Sequence, residues 1–172
     1  MDEIEVTNKQ ALFIIWNAIL NQSQDAKKTI NNTLMLMERL GLINNFFTSF
    51  GKINYDLLFA SMTDRPMVHR FYNKMTRDLY FSVVHIANRF AGFPCNVFST
   101  PNKQQTINNL LEFRGIGLHK AEIVYMIVNL YNKPNNCDIN YIEQNFKSCS
   151  SLYKTLNTEF EILDDLAVLK EN

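Results

Sequence analysis

The chain reads as an all-α fold. Over most of its 172 residues, apolar positions recur at helical spacing: Ile107, Leu110 and Leu111 in one stretch, and Ile123, Ile127 and Leu130 at i, i+4, i+7 in the next. Glycine and proline are scarce, 5 and 4, and fall between such stretches, while no segment shows the strict alternation of a half-buried strand. Taken in order, the first helix (8–22) carries the apolar run Ala11–Leu20, and the second (25–40) stops before Gly41. A third (54–61) follows the joint at Gly51, and a fourth (66–90) opens at Pro66 and ends before Gly92-Phe93-Pro94. A fifth (101–113) has Thr100 as N-cap and Pro101 at its first position, where a missing N–H costs nothing. The sixth (118–131) follows Gly115–Gly117, a seventh (138–147) follows Pro134-Asn135-Asn136, and a last one lies near 151–168. The asparagine-rich stretches fit loops and helix ends. No repeat or low-complexity tract marks a linker, so residues 1–172 form a single domain, either one unit or two small lobes sharing a cleft.

Seventeen basic residues balance seventeen acidic ones, and the pI is about 6.8. A uniformly basic nucleic-acid protein is thereby excluded, and any surface for phosphates must be a local patch. His69, Arg70, Lys74 and Arg77 in one stretch, with Arg114 and Lys120 in another, could supply it; the plain alternative is a solvated face of mixed charge. Cys95, Cys137 and Cys149 are too few and scattered for a disulfide framework, which favours a reducing, cytoplasmic setting. The start is acidic and Ala11–Leu20 is too short to cross a bilayer, so neither a signal peptide nor a membrane partner is expected.

The most informative stretch is Leu110–Val128, LLEFRGIGLHKAEIVYMIV, in which Gly115-Ile116-Gly117 turns one apolar-periodic helix into the next. Gly115 suits the left-handed position that ends a helix, and Gly117 leaves room for a bulky group such as a phosphate to approach the backbone. N–H groups opening the second helix then point at that anion.

This segment resembles the helix-hairpin-helix of the endonuclease III and MutY superfamily of DNA glycosylases, whose loop reads roughly LPGVGRKTA against FRGIGLHKA here. Upstream, Ala18–Gln24 (AILNQSQ) is similar to the LQQTQ of MutY-type enzymes and the AILTQNT of the 3-methyladenine glycosylase branch. Phe71-Tyr72-Asn73-Lys74 with Arg77 and Leu79 is similar to the superfamily's GFYNxKAxRL, and Cys137-Asp138-Ile139-Asn140 stands where it has a VDTH-like sequence. The resemblance runs from about Ala11 to Phe146 and implies two helical lobes around a cleft, with the helix-hairpin-helix at about 101–131. It implies double-stranded DNA as partner to a monomer. No iron–sulfur cluster is expected, because only Cys149 follows Asp138 where the clustered relatives have four cysteines. A monovalent cation at the hairpin is compatible with the family; no other cofactor or metal is implied.

A glycosidic bond inside a duplex is out of reach, so such an enzyme extrudes its nucleotide. The resemblance makes Asp138 the carboxylate that stabilises charge at the sugar or orients water, although an aspartate at that place is also an ordinary N-cap. In register, His119 falls where bifunctional relatives have the attacking lysine, and Lys120 is one residue further, about 100° around the helix. Base excision by water, without strand cleavage, is therefore expected. The alternatives are a glycosylase with lyase activity through Lys120, a catalytically inactive DNA-binding protein, and a helical protein-interaction module in which the turn is only structural. Asn17 takes the place of the glutamate that protonates adenine in MutY, which argues against adenine removal in that manner. Arg114, Gly115, Ile116, Gly117 and Leu118 would hold the backbone; Asn21, Gln22 and Gln24 would fill the gap left by the base. Phe71 or Tyr72 would wedge from the opposite side, against the plainer readings of polar helix end and core aromatic. Trp16 fits the core better than a stacking role.

Overall fold

The computed structural model describes residues 6–132 together with Val168 and Leu169. Among these residues are seven α-helices, one short 3₁₀ turn and no strand, so the all-α expectation holds. The helices are α1 (Asn8–Leu20), α2 (Ala26–Arg39), α3 (Phe46–Phe50), α4 (Tyr55–Thr63), α5 (Tyr72–Arg89), α6 (Lys103–Leu111) and α7 (Leu118–Asn132), with the 3₁₀ turn at Pro94–Val97. Asp138, Cys137, Cys149 and the helices expected over 138–147 and most of 151–168 lie outside the described residues.

The central element is α1. It starts with a capping box, in which the Thr7 hydroxyl accepts from the Gln10 N–H at 3.2 Å while the Gln10 side chain accepts from the Thr7 N–H at 2.9 Å. Apolar residues then cover its whole circumference, and Ala11, Leu12, Ile15, Trp16, Ala18 and Leu20 are fully buried. A helix apolar all round must be surrounded, and α2, α5, α7 and the 3₁₀ turn pack on it. Trp16 is core, its indole N–H donating to the Ser82 hydroxyl of α5 at 2.9 Å. The Thr7 hydroxyl also donates to the Leu169 carbonyl at 3.3 Å, which places buried Leu169 at the start of α1.

Three elements differ from the sequence reading. The helix expected over 66–90 begins only at Tyr72: the Pro66 carbonyl accepts from the Arg39 guanidinium at 2.8 Å and the Val68 carbonyl from the Asn32 amide at 2.9 Å, instead of joining a helical ladder. The fifth helix begins at Lys103, with Asn102 rather than Thr100 as cap: the Asn102 side chain accepts from the Gln105 N–H at 2.9 Å, and the Thr100 hydroxyl donates to the Asn102 carbonyl. The short α3 had no periodic signature; it is held by ring packing, with Phe46 stacked on Phe50 at 5.5 Å between centroids. Among the described residues no helix is long and apolar enough to cross a membrane.

Candidate functional site

The turn between α6 and α7 is fixed by its own backbone, Phe113 N–H to the Leu110 carbonyl at 3.1 Å and Ile116 N–H to the Phe113 carbonyl at 3.3 Å. Gly115 has φ +91°, and a β-carbon there would lie 3.4 Å from Ile19 Cγ2 and 3.5 Å from Asp78 Oδ2. Two constraints therefore select glycine, the backbone conformation and the closeness of α1 and α5. Gly117 is different: a β-carbon would meet nothing within 4 Å, so this stretch of backbone is open to an approaching group. Ile116 anchors the turn in the core, and Leu118 projects outward. The first N–H groups of α7 have no intrahelical acceptor.

Behind the turn lies Asp78 of α5, whose side chain is only 5% exposed. Lys74, one helical turn earlier, reaches it at 2.8 Å and Arg114 of the hairpin at 3.7 Å. Lys74 Nζ also donates to Gln22 Oε1 at 3.5 Å, and Lys120 Nζ donates to the Gly115 carbonyl at 3.2 Å. Four segments thus converge: the turn after α1, the first turns of α5, the hairpin and the start of α7. Positive charge exceeds negative around this one carboxylate. Burial pushes the Lys120 amine down to about 8; nearby Lys74 adds to the effect and Asp78 opposes it.

A second contact ties the turn after α1 to the turn before α5. His69 is 2% exposed; its Nε2 lies 2.9 Å from the Gln22 carbonyl, and its Nδ1 accepts the Phe71 N–H at 3.0 Å. Desolvation lowers its pKa, nearby Arg70 lowers it further, and the Gln22 carbonyl pulls the other way. Beside it Phe71 is 43% exposed, with the Arg70 guanidinium 4.7 Å over its ring.

Of the residues expected at the site, Gln22, Arg114, Gly115 and Lys120 are brought together, and exposed Phe71 lies on the adjoining turn. Others are not available in the expected way. Asn21 is buried and its side-chain oxygen accepts from the Thr29 hydroxyl at 3.3 Å, so it serves the fold rather than a ligand. Gln24 donates back to the Leu20 carbonyl at 3.4 Å, and the Tyr72 ring packs edge-on against Phe59. The one-residue step from His119 was expected to keep Lys120 from substituting for an amine at the His119 position. In the structure Lys120 folds back over the turn, and His119 is exposed. Asn17 is buried beside a small void lined by Phe13, Ile14, Ala18, Ile30, Val124 and Ile127, its Oδ1 without a hydrogen-bond partner among the described residues. Sequence reasoning missed Asp78 altogether and took His69 only as a source of charge. The i, i+4 pair Lys74–Asp78 was the available signal, but such pairs mostly lie on solvated faces.

No family model matches the chain, and no match was found among the curated proteins or the solved structures.

Proposed function

We propose that this chain is a helix-hairpin-helix DNA repair protein that removes a damaged or mispaired base from a duplex, with Lys120 as the attacking group. One observation carries the choice of Lys120 over water: its amine, lowered to about 8, lies at the hairpin mouth beside Gly115 and within the field of Lys74 and Asp78. At neutral pH roughly a tenth of such an amine is unprotonated, about three hundredfold more than for an ordinary lysine, and only the neutral amine is a nucleophile. In this reading the open backbone at Gly117 and the first N–H groups of α7 clamp a phosphate, aided by Arg114 and Lys74, without regard to sequence. Gln22 enters the space left by the extruded nucleotide, and Phe71 wedges beside it. The cleft between two lobes belongs to this reading, as does Asp138, assigned by resemblance to stabilise charge at the sugar.

Attack of the neutral amine forms an N–C1′ bond as the C1′–base bond breaks, the base leaving with the electron pair and taking up a proton. The amine sheds a proton to the departing base, the C1′–O4′ bond breaks as O4′ takes up a proton from water and leaves a protonated imine, and loss of a C2′ proton then expels the 3′ phosphate. The test is borohydride trapping on duplexes carrying different lesions or an abasic site. Wild type is expected to give a covalent complex, and Lys120→Ala none. Base release without a trapped complex would favour the second reading, hydrolysis by water, which is motivated by exposed His119 standing in the register position of the family lysine. Tight, salt-dependent binding without reaction would leave a DNA clamp, and absence of binding would leave a helical interaction module.

A further inference from the structure

We infer that His69 is a positioning residue: its neutral imidazole, protonated at Nε2 alone, locks the end of α1 at Gln22 to the start of α5 at Phe71, so that the two turns move as one unit. The inference rests on the proposed DNA reading only for what those turns would touch. Its geometry stands separately.

The two partners fix the protonation state between them. A backbone N–H can only donate, so the Phe71 N–H at 3.0 Å requires a lone pair on Nδ1. A carbonyl can only accept, so the Gln22 oxygen at 2.9 Å requires a proton on Nε2. The other neutral tautomer fails at both ends, and the imidazolium sets two N–H groups facing each other at Phe71. Surrounding groups act unevenly on the cation. Burial opposes it, as do Arg70 in the same turn and Lys120 across from α7, while the Leu20 and Gln22 carbonyls at the end of α1 favour it; the net effect holds His69 below its ordinary 6.5.

The joint also fills a gap in capping. Phe71 is the residue preceding α5, where an N–H has no intrahelical acceptor, and His69 Nδ1 supplies one. Further back, the segment is pinned to α2, by Arg39 at Ser61, Asp64 and Pro66 and by Asn32, whose amide donates to the Val68 carbonyl at 2.9 Å. Those tethers hold the segment from α2, whereas His69 sets the spacing between Phe71 and Gln22. Exposed Gln22 and Phe71 approach a ligand from two sides, and a pair of probes held at fixed spacing reads a distortion better than two independent ones.

Nuclear magnetic resonance on the full chain tests this without any ligand. The nitrogen shifts of His69 should report a bare Nδ1 and a protonated Nε2 near neutral pH, and the Phe71 amide should be protected from exchange. Both features should persist below pH 6.5 and disappear together as the ring is protonated. His69→Phe keeps the ring volume and should abolish the Phe71 protection, whereas His69→Gln, which can still donate to the Gln22 carbonyl, should retain part of the link. A proton on Nδ1 in wild type, or undiminished Phe71 protection in folded His69→Phe, overturns the inference. If the variants do not fold, the tautomer and the joint pH transition of wild type still decide it. Affinity for a duplex holding a tetrahydrofuran abasic-site analogue then separates the two readings. His69→Phe should bind more weakly, by about tenfold if one further side chain must be ordered on binding, because the turns that carry Gln22 and Phe71 are no longer held at one spacing beforehand. A wild type that shows the tautomer and binds no duplex defeats the DNA reading and leaves the joint standing.

Discussion

Two charged clusters tie α5 to the hairpin segment, one near each end of the helix, and they use much the same residue types to different effect. Near its start Asp78 meets Lys74 and Arg114; near its end Glu112 meets Arg89 and His85, both at 3.4 Å. The first acid is 5% exposed and the second 33%. Water screens the second group, and its His85 ring packs against Phe81, Phe90 and Phe113, at 5.5, 5.6 and 5.2 Å between centroids. A buried carboxylate depends on its cations, and its field reaches Lys120. Ion-pair distance therefore says little about importance here, and burial of the acid says most.

The largest effect should come from removing that buried acid. Asp78→Ala is expected to cost about 2–3 kcal/mol, below the range of about 3–5 for pairs buried on both sides, because Lys74 and Arg114 remain half exposed and can turn to water. Glu112→Ala should cost about 0–1 kcal/mol. Urea midpoints of the two variants measure the difference, and equal losses would mean that burial does not distinguish the clusters.

The hairpin offers the same kind of contrast between its two glycines. Gly115→Ala introduces a β-carbon at φ +91° and 3.4 Å from Ile19, whereas Gly117→Ala introduces one into open space. The first should cost about 1–2 kcal/mol and the second close to nothing. Under the proposed function the ranking reverses for duplex affinity: Gly117→Asp should fold and yet bind more weakly with a shallower salt dependence, because it places bulk and negative charge where a phosphate would sit. Unchanged binding by the folded variant would remove the clamp.

These contrasts also mark what could be read before the structure. Helices separated by Gly41, Gly51 and Gly92 were legible because apolar spacing and backbone punctuation act locally, and Gly115 was legible because few residues tolerate its conformation. Positions set by partners distant in sequence were not. Nothing near Pro66 announces that Arg39 satisfies its carbonyl, so the sequence predicts a helix start at Pro66 that the structure places at Tyr72. Asp78 looks like any acid on an amphipathic helix until the hairpin covers it. Asn21 and Gln22 are neighbours of similar chemistry, and only distant partners separate them: Thr29 on α2 engages the buried first, and Lys74 on α5 reaches the exposed second.

Lys120 turns the comparison into a pH dependence. Its amine titrates near 8 in the fold and at 10.5 when unperturbed, so between these values the unfolded chain binds more protons. Stability should therefore rise with pH from about 8 to 10.5, the burial penalty on the charged form being fully present below 8 and relieved above. Lys120→Met should flatten that rise. His69 acts in a lower window. Held neutral in the fold, its contribution is complete above 6.5 and is lost as pH falls through its depressed value.

The smallest effect, and the most specific, should come from Lys74. It lies 2.8 Å from Asp78 and also repels the Lys120 amine, so replacing it changes the environment of Lys120 in two ways. Lys74→Met removes the repulsion and leaves Asp78 with fewer competing cations. Both changes favour the protonated form of Lys120 and should move its titration upward from about 8. Lysine side-chain nitrogen shifts followed against pH measure this directly, with no substrate needed. If trapping on an abasic duplex is found, its pH profile should move upward by the same amount, since the neutral amine is the reacting form. A shift in the profile without a shift in the titration would place Lys74 on the DNA rather than on the amine. A titration that stays near 8 would mean that burial alone sets it.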